Sequence, residues 1–535
     1  MIFYKKPALL SILSGILLTL SWPVQGLSFI IFFSLIPVFF VEHQITIGNS
    51  KRKKLRLFAL SYLGFLLWNL GTTWWIFNSS IFGMIFAILC NTSFYAMLMM
   101  IFHWSKKRLP LRTAYIFLVT LWIAFEKFHL KWDFSWPWLN LGNVFSEDIQ
   151  WIQWYEFTGS FGGTLWVLLI NIGLFEVLKN HPPSFKNSIW IKKMSPWLIC
   201  IALPIAISLM LYQSEKDLTP STEVLLIQPN IDPYNEKYDK ENNYYFDLMA
   251  RMTADQITDE TRYIFTPETY FGAGFGVVLE EFKTTPLYRK IDSLLQKNQG
   301  IQLISGIQSY RVYKTNSPPT MTANFIRNGV WVDFYNSALK MEYQQEPEFY
   351  HKSKLVVGVE NMPYKSFFRP LLGEFLLDLG GTVSSRAIQQ HRSVFEHKKI
   401  KLKTGPIICY ESIYGEFVTG YVRKGAHFLA IITNDAWWGN TPGHKQLLSY
   451  ARLRAIENRR NVVRSANTGI SAIINSKGEI TIKLPYESNG VLRGKFAPEE
   501  RITFYTQYGD YIARWSGFIA VLFFLIAISG RLKKN

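Results

Sequence analysis

Glu268 closes the run Tyr263-Ile264-Phe265-Thr266-Pro267-Glu268, Cys409 closes Pro406-Ile407-Ile408-Cys409, and Lys352 follows Phe349-Tyr350-His351. A carboxylate, an ammonium and a thiol make a set with one coherent chemistry. A thiol attacks a carbonyl only as its thiolate. A nearby carboxylate can remove the proton, and a nearby ammonium can steady the anion. The same ammonium, with the backbone N–H after the nucleophile, can hold the oxyanion of a tetrahedral intermediate. Acyl transfer through a thioester is within reach of such a set. Most glutamates and lysines are nevertheless solvated or structurally paired, and a buried structural role is the commoner fate of a cysteine. The three become candidates only if the fold brings them together.

The elements that would do so are visible. Strand-like runs recur at 224–228, 263–266, 302–306, 406–409 and 428–433, and their apolar composition suits buried strands. Helix-like stretches at 287–298, after Pro286, and at 446–458 lie among them. Strands alternating with helices predict a layered α/β domain. Open α/β sheets gather ligands beyond the carboxyl ends of their strands. Glu268, Cys409 and the pair Asn434-Asp435, which follows the run 428–433, can therefore converge. The stretch 364–401 fits this pattern less well and reads as an insertion or lid.

Ahead of this block lie seven apolar runs, at about 7–22, 27–42, 57–77, 81–104, 110–128, 160–178 and 196–212, and an eighth follows at about 512–530. Most approach the ~20 residues that cross a bilayer. The predicted division is a membrane domain over 1–212 with about seven transmembrane helices, an extracytoplasmic catalytic domain over 213–511, and a final transmembrane helix with a short cytoplasmic tail over 512–535. If all eight runs span, Lys5-Lys6, Lys51-Arg52-Lys53-Lys54, Lys106-Lys107-Arg108, the lysines at 186, 192 and 193, and Arg531, Lys533 and Lys534 share one side. The positive-inside rule makes that side the cytoplasm. The net charge of +18 then reflects lipid and orientation, since no aromatic-basic motif points to nucleic acid. Trp132, Trp136, Trp138, Trp151 and Trp154 crowd the loop between the fifth and sixth runs, as an interfacial platform would. Of three cysteines, Cys90 and Cys200 lie in apolar runs and Cys409 alone lies in the polar block, so no disulfide to it and no zinc spacing is expected.

Six ordered segments resemble the nitrilase superfamily, whose Glu-Lys-Cys triad sits in an αββα sandwich: Thr266-Pro267-Glu268, Tyr350-His351-Lys352, Cys409-Tyr410-Glu411, Asn434-Asp435-Ala436-Trp437-Trp438-Gly439, Ala451-Arg452-Leu453-Arg454-Ala455-Ile456-Glu457 and Asn467-Thr468-Gly469-Ile470-Ser471. With seven apolar runs before it and one after, the whole resembles the bacterial apolipoprotein N-acyltransferases. Trp136-Pro137-Trp138-Leu139-Asn140-Leu141-Gly142 and Glu156-Phe157-Thr158-Gly159-Ser160-Phe161-Gly162-Gly163 agree with that family. The resemblance implies that Cys409 is the nucleophile, Glu268 the general base and Lys352 the cation. It implies supporting roles for Glu360, Tyr410 and Glu411, with the Tyr410 N–H as an oxyanion donor, and places Tyr238, Asn434 and Trp437 where lipid is handled. This chain departs from the family at Lys354, where histidine is usual, at Val357-Gly358-Val359 before Glu360, where Pro-Phe-Gly is usual, and at Tyr238, where tryptophan is usual.

The activity so implied is ping-pong transfer of an acyl chain from a membrane phospholipid, phosphatidylethanolamine in most members, to the N-terminal amine of a diacylglyceryl-cysteine apolipoprotein. No metal or cofactor is expected, and the implied location is the bacterial inner membrane with the catalytic domain facing the periplasm. An enzyme confined to the bilayer avoids drawing lipid into water, at about 0.8 kcal/mol per exposed methylene. Two other readings compete: a membrane-tethered amidase using the same triad on a small amide, and a non-catalytic scaffold with a degenerate domain. A transporter has little support, because few ionisable residues lie within the apolar runs.

Overall fold

Long runs of Leu, Ile, Phe and Trp form helices in the first of two units. The computed structural model describes residues 6–49, 51–181, 188–216, 218–233, 236–237, 239–361 and 386–530. Tyr238 and residues 364–385 of the stretch 364–401 lie outside the described residues. The units comprise residues 1–215 with 508–535, and residues 216–507.

Among the described residues, five helices of the first unit are long and apolar enough to cross a membrane: Ser28–Ile47, Ile81–Ser105, Ser160–Asn180, Trp190–Ser214 and Tyr511–Ser529. Pro7–Leu20 is apolar but shorter. Lys53–Thr73 and Leu111–His129 run for 21 and 19 residues and carry more charge. Leu198, Leu203 and Met210 on one helix and Phe518, Val521 and Leu525 on another face outward. Such apolar surface calls for lipid rather than water, and the protein is a multi-pass membrane protein. The last helix packs on Leu111–His129, where Lys127 and Asp510 pair at 2.6 Å.

The Trp-rich loop folds into this unit. Trp138 is fully buried, with its ring 4.7 Å from that of Trp75, while Trp132, Trp136, Trp151 and Trp154 are half-buried. Buried Glu126 holds the loop by accepting the Leu141 N–H at 2.9 Å and the Thr164 hydroxyl at 2.8 Å. Polar groups kept from water need such partners.

The second unit stacks two sheets. The first contains β1 (Thr222–Gln228), β2 (Thr261–Phe265), β3 (Val277–Val278), β4 (Gln302–Lys314), β5 (Asn324–Arg327), β6 (Val330–Met341) and β7 (Glu348–His351), together with β14 (Gly490–Phe496). The second contains β8 (Phe395–Glu396), β9 (Lys403–Ile408), β10 (Phe428–Thr433), β11 (Val462–Ala466), β12 (Ala472–Ile474) and β13 (Ile480–Lys483). The orders are β14-β1-β2-β4-β6-β5, with β3 on β4 and β7 on β6, and β13-β12-β11-β10-β9-β8. Each sheet is built on three parallel strands: β1, β2 and β4 in the first, β9, β10 and β11 in the second.

Alternation along the strands assigns their faces. Leu225, Ile227, Ile264 and Leu303 join Tyr245 and Met249 of the helix Asn242–Thr253 and Leu287, Ile291 and Leu295 of the helix Pro286–Lys297. Each fully buried Leu or Ile contributes about 1.5–3 kcal/mol. Tyr263 and Phe265 instead face Phe428 of the other sheet, and Phe428 meets Phe496 at 4.3 Å. The helices Gly415–Arg423 and Pro442–Asn458 pack on the second sheet. The result is an α/β sandwich of four layers, αββα. Thr285-Pro286 and Thr441-Pro442 start two of these helices alike: each threonine hydroxyl accepts a first-turn N–H, and proline fills the first helical position. The carboxyl ends of β2, β9 and β10 lead to Glu268, Cys409 and Asn434, and β7 leads to Lys352.

Candidate active site

Cys409 begins a short helical turn, Cys409–Ile413, as soon as β9 ends. Its φ is 50°, in the left-handed region that side chains seldom occupy. The turn is fixed by Glu411, which is wholly buried. One Glu411 oxygen accepts the Ile408 N–H at 2.8 Å; the other accepts the Ser353 N–H at 2.6 Å and the Tyr350 hydroxyl at 2.7 Å. Glu411 thus joins the chain just before Cys409 to the chain just after Lys352. Burial lifts its pKa to about 7, against the pull of the Ile408 and Ser353 N–H groups.

Glu268 sits three residues beyond β2, in a loop pressed against β4. The approach requires glycine at 306: a Cβ there would stand 2.2 Å from the Pro267 oxygen and 2.4 Å from the Thr269 nitrogen. Lys237, almost fully buried, donates to the Glu268 carbonyl at 3.3 Å and to the Thr269 hydroxyl. Burial lowers the Lys237 pKa to about 8, partly opposed by the Glu268 charge. Gly306→Ala is expected to destabilise the protein by about 1–3 kcal/mol and to cut activity further than the folded fraction explains, because the loop carrying Glu268 must retreat. Thermal unfolding and initial rates on the same preparation check this.

Lys352 lies at the centre. Its N–H donates to the Asn336 carbonyl at 2.8 Å, and its Nζ lies 2.8 Å from Glu268 Oε1 and 2.8 Å from Glu360 Oε2. Asn336 Nδ2 reaches the same two carboxylates, Glu268 Oε1 at 2.8 Å and Glu360 Oε1 at 2.8 Å. The other Glu268 oxygen accepts the Asn434 N–H at 3.2 Å. Lys352 is 1% exposed and Glu268 7%, so these charges interact with little screening. Burial pulls the Lys352 pKa down, but the charges of Glu268 and Glu360 outweigh it and hold the ammonium protonated. Burial raises Glu360, yet Lys352 and Arg386 bring it below its ordinary value.

Cys409 is 6% exposed. Burial raises its pKa, as does the charge of Glu268; Lys352 opposes them without prevailing. The balance favours the protonated thiol, within reach of the charges of a carboxylate and an ammonium. Behind it, Asp435 accepts the Thr433 hydroxyl at 2.7 Å and pairs with buried Arg464 at 2.6 Å.

The structure therefore gathers Glu268, Lys352, Glu360 and Asn434 in one hydrogen-bonded group, with Cys409 feeling the charges of Glu268 and Lys352 and Glu411 beneath its turn. The Tyr410 side chain turns to Tyr414, with ring centroids 5.4 Å apart. Trp437 lies half-buried in the turn Asp435–Trp438 that follows Asn434. Lys354, where the sequence departs from the resembled family, stacks its ammonium on Tyr414 at 5.1 Å. In the Val357-Gly358-Val359 departure, the Val356 N–H still reaches Glu360 Oε2 at 2.9 Å. The sequence reading missed Asn336, Lys237 as a contributor, and Tyr350 as the partner of Glu411. Asn336-Ser337 is a polar pair inside a buried stretch of strand, and that is the signal available for it. Among the described residues no group of three or more His, Cys, Asp or Glu side chains is placed to hold a metal ion.

Comparison with known proteins follows the same two units. The model of the apolipoprotein N-acyltransferase N-terminal domain matches residues 14–173, and that of carbon-nitrogen hydrolase matches residues 226–502. A protein named apolipoprotein N-acyltransferase from Chlorobaculum tepidum is 29% identical over 521 residues, covering 95% of this chain and 94% of its own. One of the same name from Geobacter metallireducens is 24% identical over 537 residues, covering 95% and 93%. A solved nitrilase-superfamily amidase from Nesterenkonia is 15% identical and covers 56% of this chain and 98% of its own, with a TM-score of 0.37.

Proposed function

The chain belongs to the carbon-nitrogen hydrolase family, in the membrane branch that carries an apolipoprotein N-acyltransferase N-terminal domain, and from this we propose that it transfers an acyl chain from a membrane phospholipid, through a thioester on Cys409, to the N-terminal amine of a diacylglyceryl-cysteine apolipoprotein. The observation that supports the reading is the ion pair of Lys352 Nζ with Glu268 at 2.8 Å, with the charges of both acting on the Cys409 thiol.

In the first half-reaction Glu268 takes the thiol proton and the Cys409 sulfur attacks the ester carbonyl of the donor. Lys352 and the Tyr410 N–H receive the oxyanion. The C–O bond breaks, and the lysophospholipid alkoxide leaves with the proton held by Glu268. In the second half, the amine attacks the thioester and Glu268 accepts its proton. The C–S bond breaks, the proton returns to sulfur and the amide is released. One site serves both halves, as covalent catalysis allows. Glu360 and Glu411 support the site: Glu360 keeps Lys352 charged and placed, and Glu411 holds the Cys409 turn. Phosphatidylethanolamine is the proposed donor. Asn434, Trp437 and Tyr238 are the proposed lipid contacts.

The proposed location is the bacterial inner membrane, with residues 213–511 facing the periplasm, since the clusters Lys51–Lys54 and Lys106–Arg108 would then lie on the cytoplasmic side. Mixing the purified protein with phosphatidylethanolamine alone, followed by mass spectrometry of tryptic peptides, is expected to find one acyl chain on Cys409, removable by hydroxylamine. A protein that acylates a lipopeptide while never carrying that adduct would sink the thioester.

A further inference from the structure

Two carboxylates share one ammonium at the centre of the site. Glu268 and Glu360 each lie 2.8 Å from Lys352 Nζ, so the trio carries a net negative charge. Buried carboxylates in that position ordinarily respond by taking up a proton, which raises the pKa of one of them. A protonated Glu268 could not serve as a base.

Asn336 stands in the gap. It is 2% exposed on β6. The single nitrogen Nδ2 lies 2.8 Å from an oxygen of Glu268 and 2.8 Å from an oxygen of Glu360, and its two hydrogens suffice for one bond to each. With Lys352 this closes a ring of four groups. The Asn336 Oδ1, equally buried, has no hydrogen-bond partner. Leaving an amide oxygen unsatisfied is unfavourable, so the amide orientation is set by what its nitrogen meets. Reversing it would aim an oxygen at two carboxylates. All four oxygens of the two carboxylates accept a donor, from Asn336, Lys352, the Asn434 N–H or the Val356 N–H, and such a set favours the ionised form of both.

We propose that Asn336 is a positioning residue that keeps Glu268 and Glu360 apart and both deprotonated, and so sets the lower pH limit of acyl transfer. The inference rests on the reading of Glu268 as the base. The other charges facing this pair are Lys237, whose Nζ touches the Glu268 carbonyl; Arg386, whose charge acts on Glu360; the Cys409 thiol; and Asp435 behind that thiol. None of these groups donates a bond to both carboxylates.

The test is the pH profile of kcat/KM for lipopeptide acylation by the full-length protein in detergent with phosphatidylethanolamine as donor. Asn336→Leu removes both donors at similar volume. Its acid limb is expected to move up by about 1–2 pH units, with the rate recovering above the new limb. Asn336→Asp, nearly isosteric, adds a third carboxyl and is expected to move the limb at least as far, so it answers the question if the leucine variant does not fold. A residue that merely supports the fold would lower the rate at every pH and leave the limb in place, and that result in a folded variant overturns the proposal. Glu268→Gln separates the two readings: if it stays active, the base assignment has failed, whereas an inactive Glu268→Gln beside an unmoved limb in both Asn336 variants defeats this inference alone.

Discussion

Cys409→Ala is expected to lose acyl transfer by a factor of about 10⁴ or more while leaving the protein folded. The side chain is small, and its loss leaves only a small void beneath the turn held by Glu411. The other two cysteines, Cys90 and Cys200, belong to helices of the first unit. Cys409→Ser is expected to fall nearly as far. A hydroxyl is harder to ionise than a thiol, and the thiol is already pushed upward by burial and by Glu268. Single-turnover acylation of a lipopeptide, with thermal unfolding as the control for folding, checks both variants. An alanine variant that still acylates at a tenth of the original rate would remove Cys409 from the mechanism.

The second large effect is expected at Lys352. Lys352→Met leaves Glu268 and Glu360 buried without their shared cation, and removing one partner of a buried ion pair typically costs about 3–5 kcal/mol. The proposed oxyanion contact is lost, and the proposed base, Glu268, loses its neighbouring cation. A rate loss of about 10³ is expected from the oxyanion contact alone. The pH dependence of stability has a definite sign. The folded pKa of Lys352 is raised, so its contribution is complete below the ordinary lysine value of about 10.4 and fades as pH climbs through the raised one. The folded pKa of Glu360 is lowered, so its contribution is complete above the ordinary glutamate value of about 4.3 and is lost as pH falls through the lowered one. Between about pH 5 and pH 10 both are present. The stability gap between the wild type and Lys352→Met is therefore expected to be widest there and to narrow in acid, as denaturant unfolding across pH would read.

How much of this was visible beforehand differs by residue, for physical reasons. Glu268, Cys409 and Asn434 follow apolar strands in sequence, and strands announce themselves by composition. Sheet geometry then makes their ends neighbours. Lys352 stands out in its own segment, but the strand before it, β7, is four residues long and pairs with β6, which has no clear strand signature of its own. The partners of these residues were harder. Asn336 is an asparagine in a strand, and nothing in its own segment says that two carboxylates from 68 and 24 positions away will close on it. Tyr350 and Glu411 are 61 positions apart, and their bond exists only because two sheets stack. The buried docking of the Trp-rich loop was equally hidden: tryptophans at an interface and tryptophans packed on helices have the same composition. Residues that belong to a periodic element can be placed from one segment, whereas residues defined by a distant partner cannot.

The left-handed backbone at Cys409 carries a last consequence. A φ of 50° suits glycine, and a side chain there is disfavoured by about 1–2 kcal/mol. At 409 the fold and the proposed chemistry ask for different amino acids. So long as the activity is selected, cysteine holds the place against a steady pull toward glycine. A lineage that ceased to need the reaction would feel no opposing force. In such a chain position 409 is expected to drift toward glycine, which relieves the left-handed backbone there.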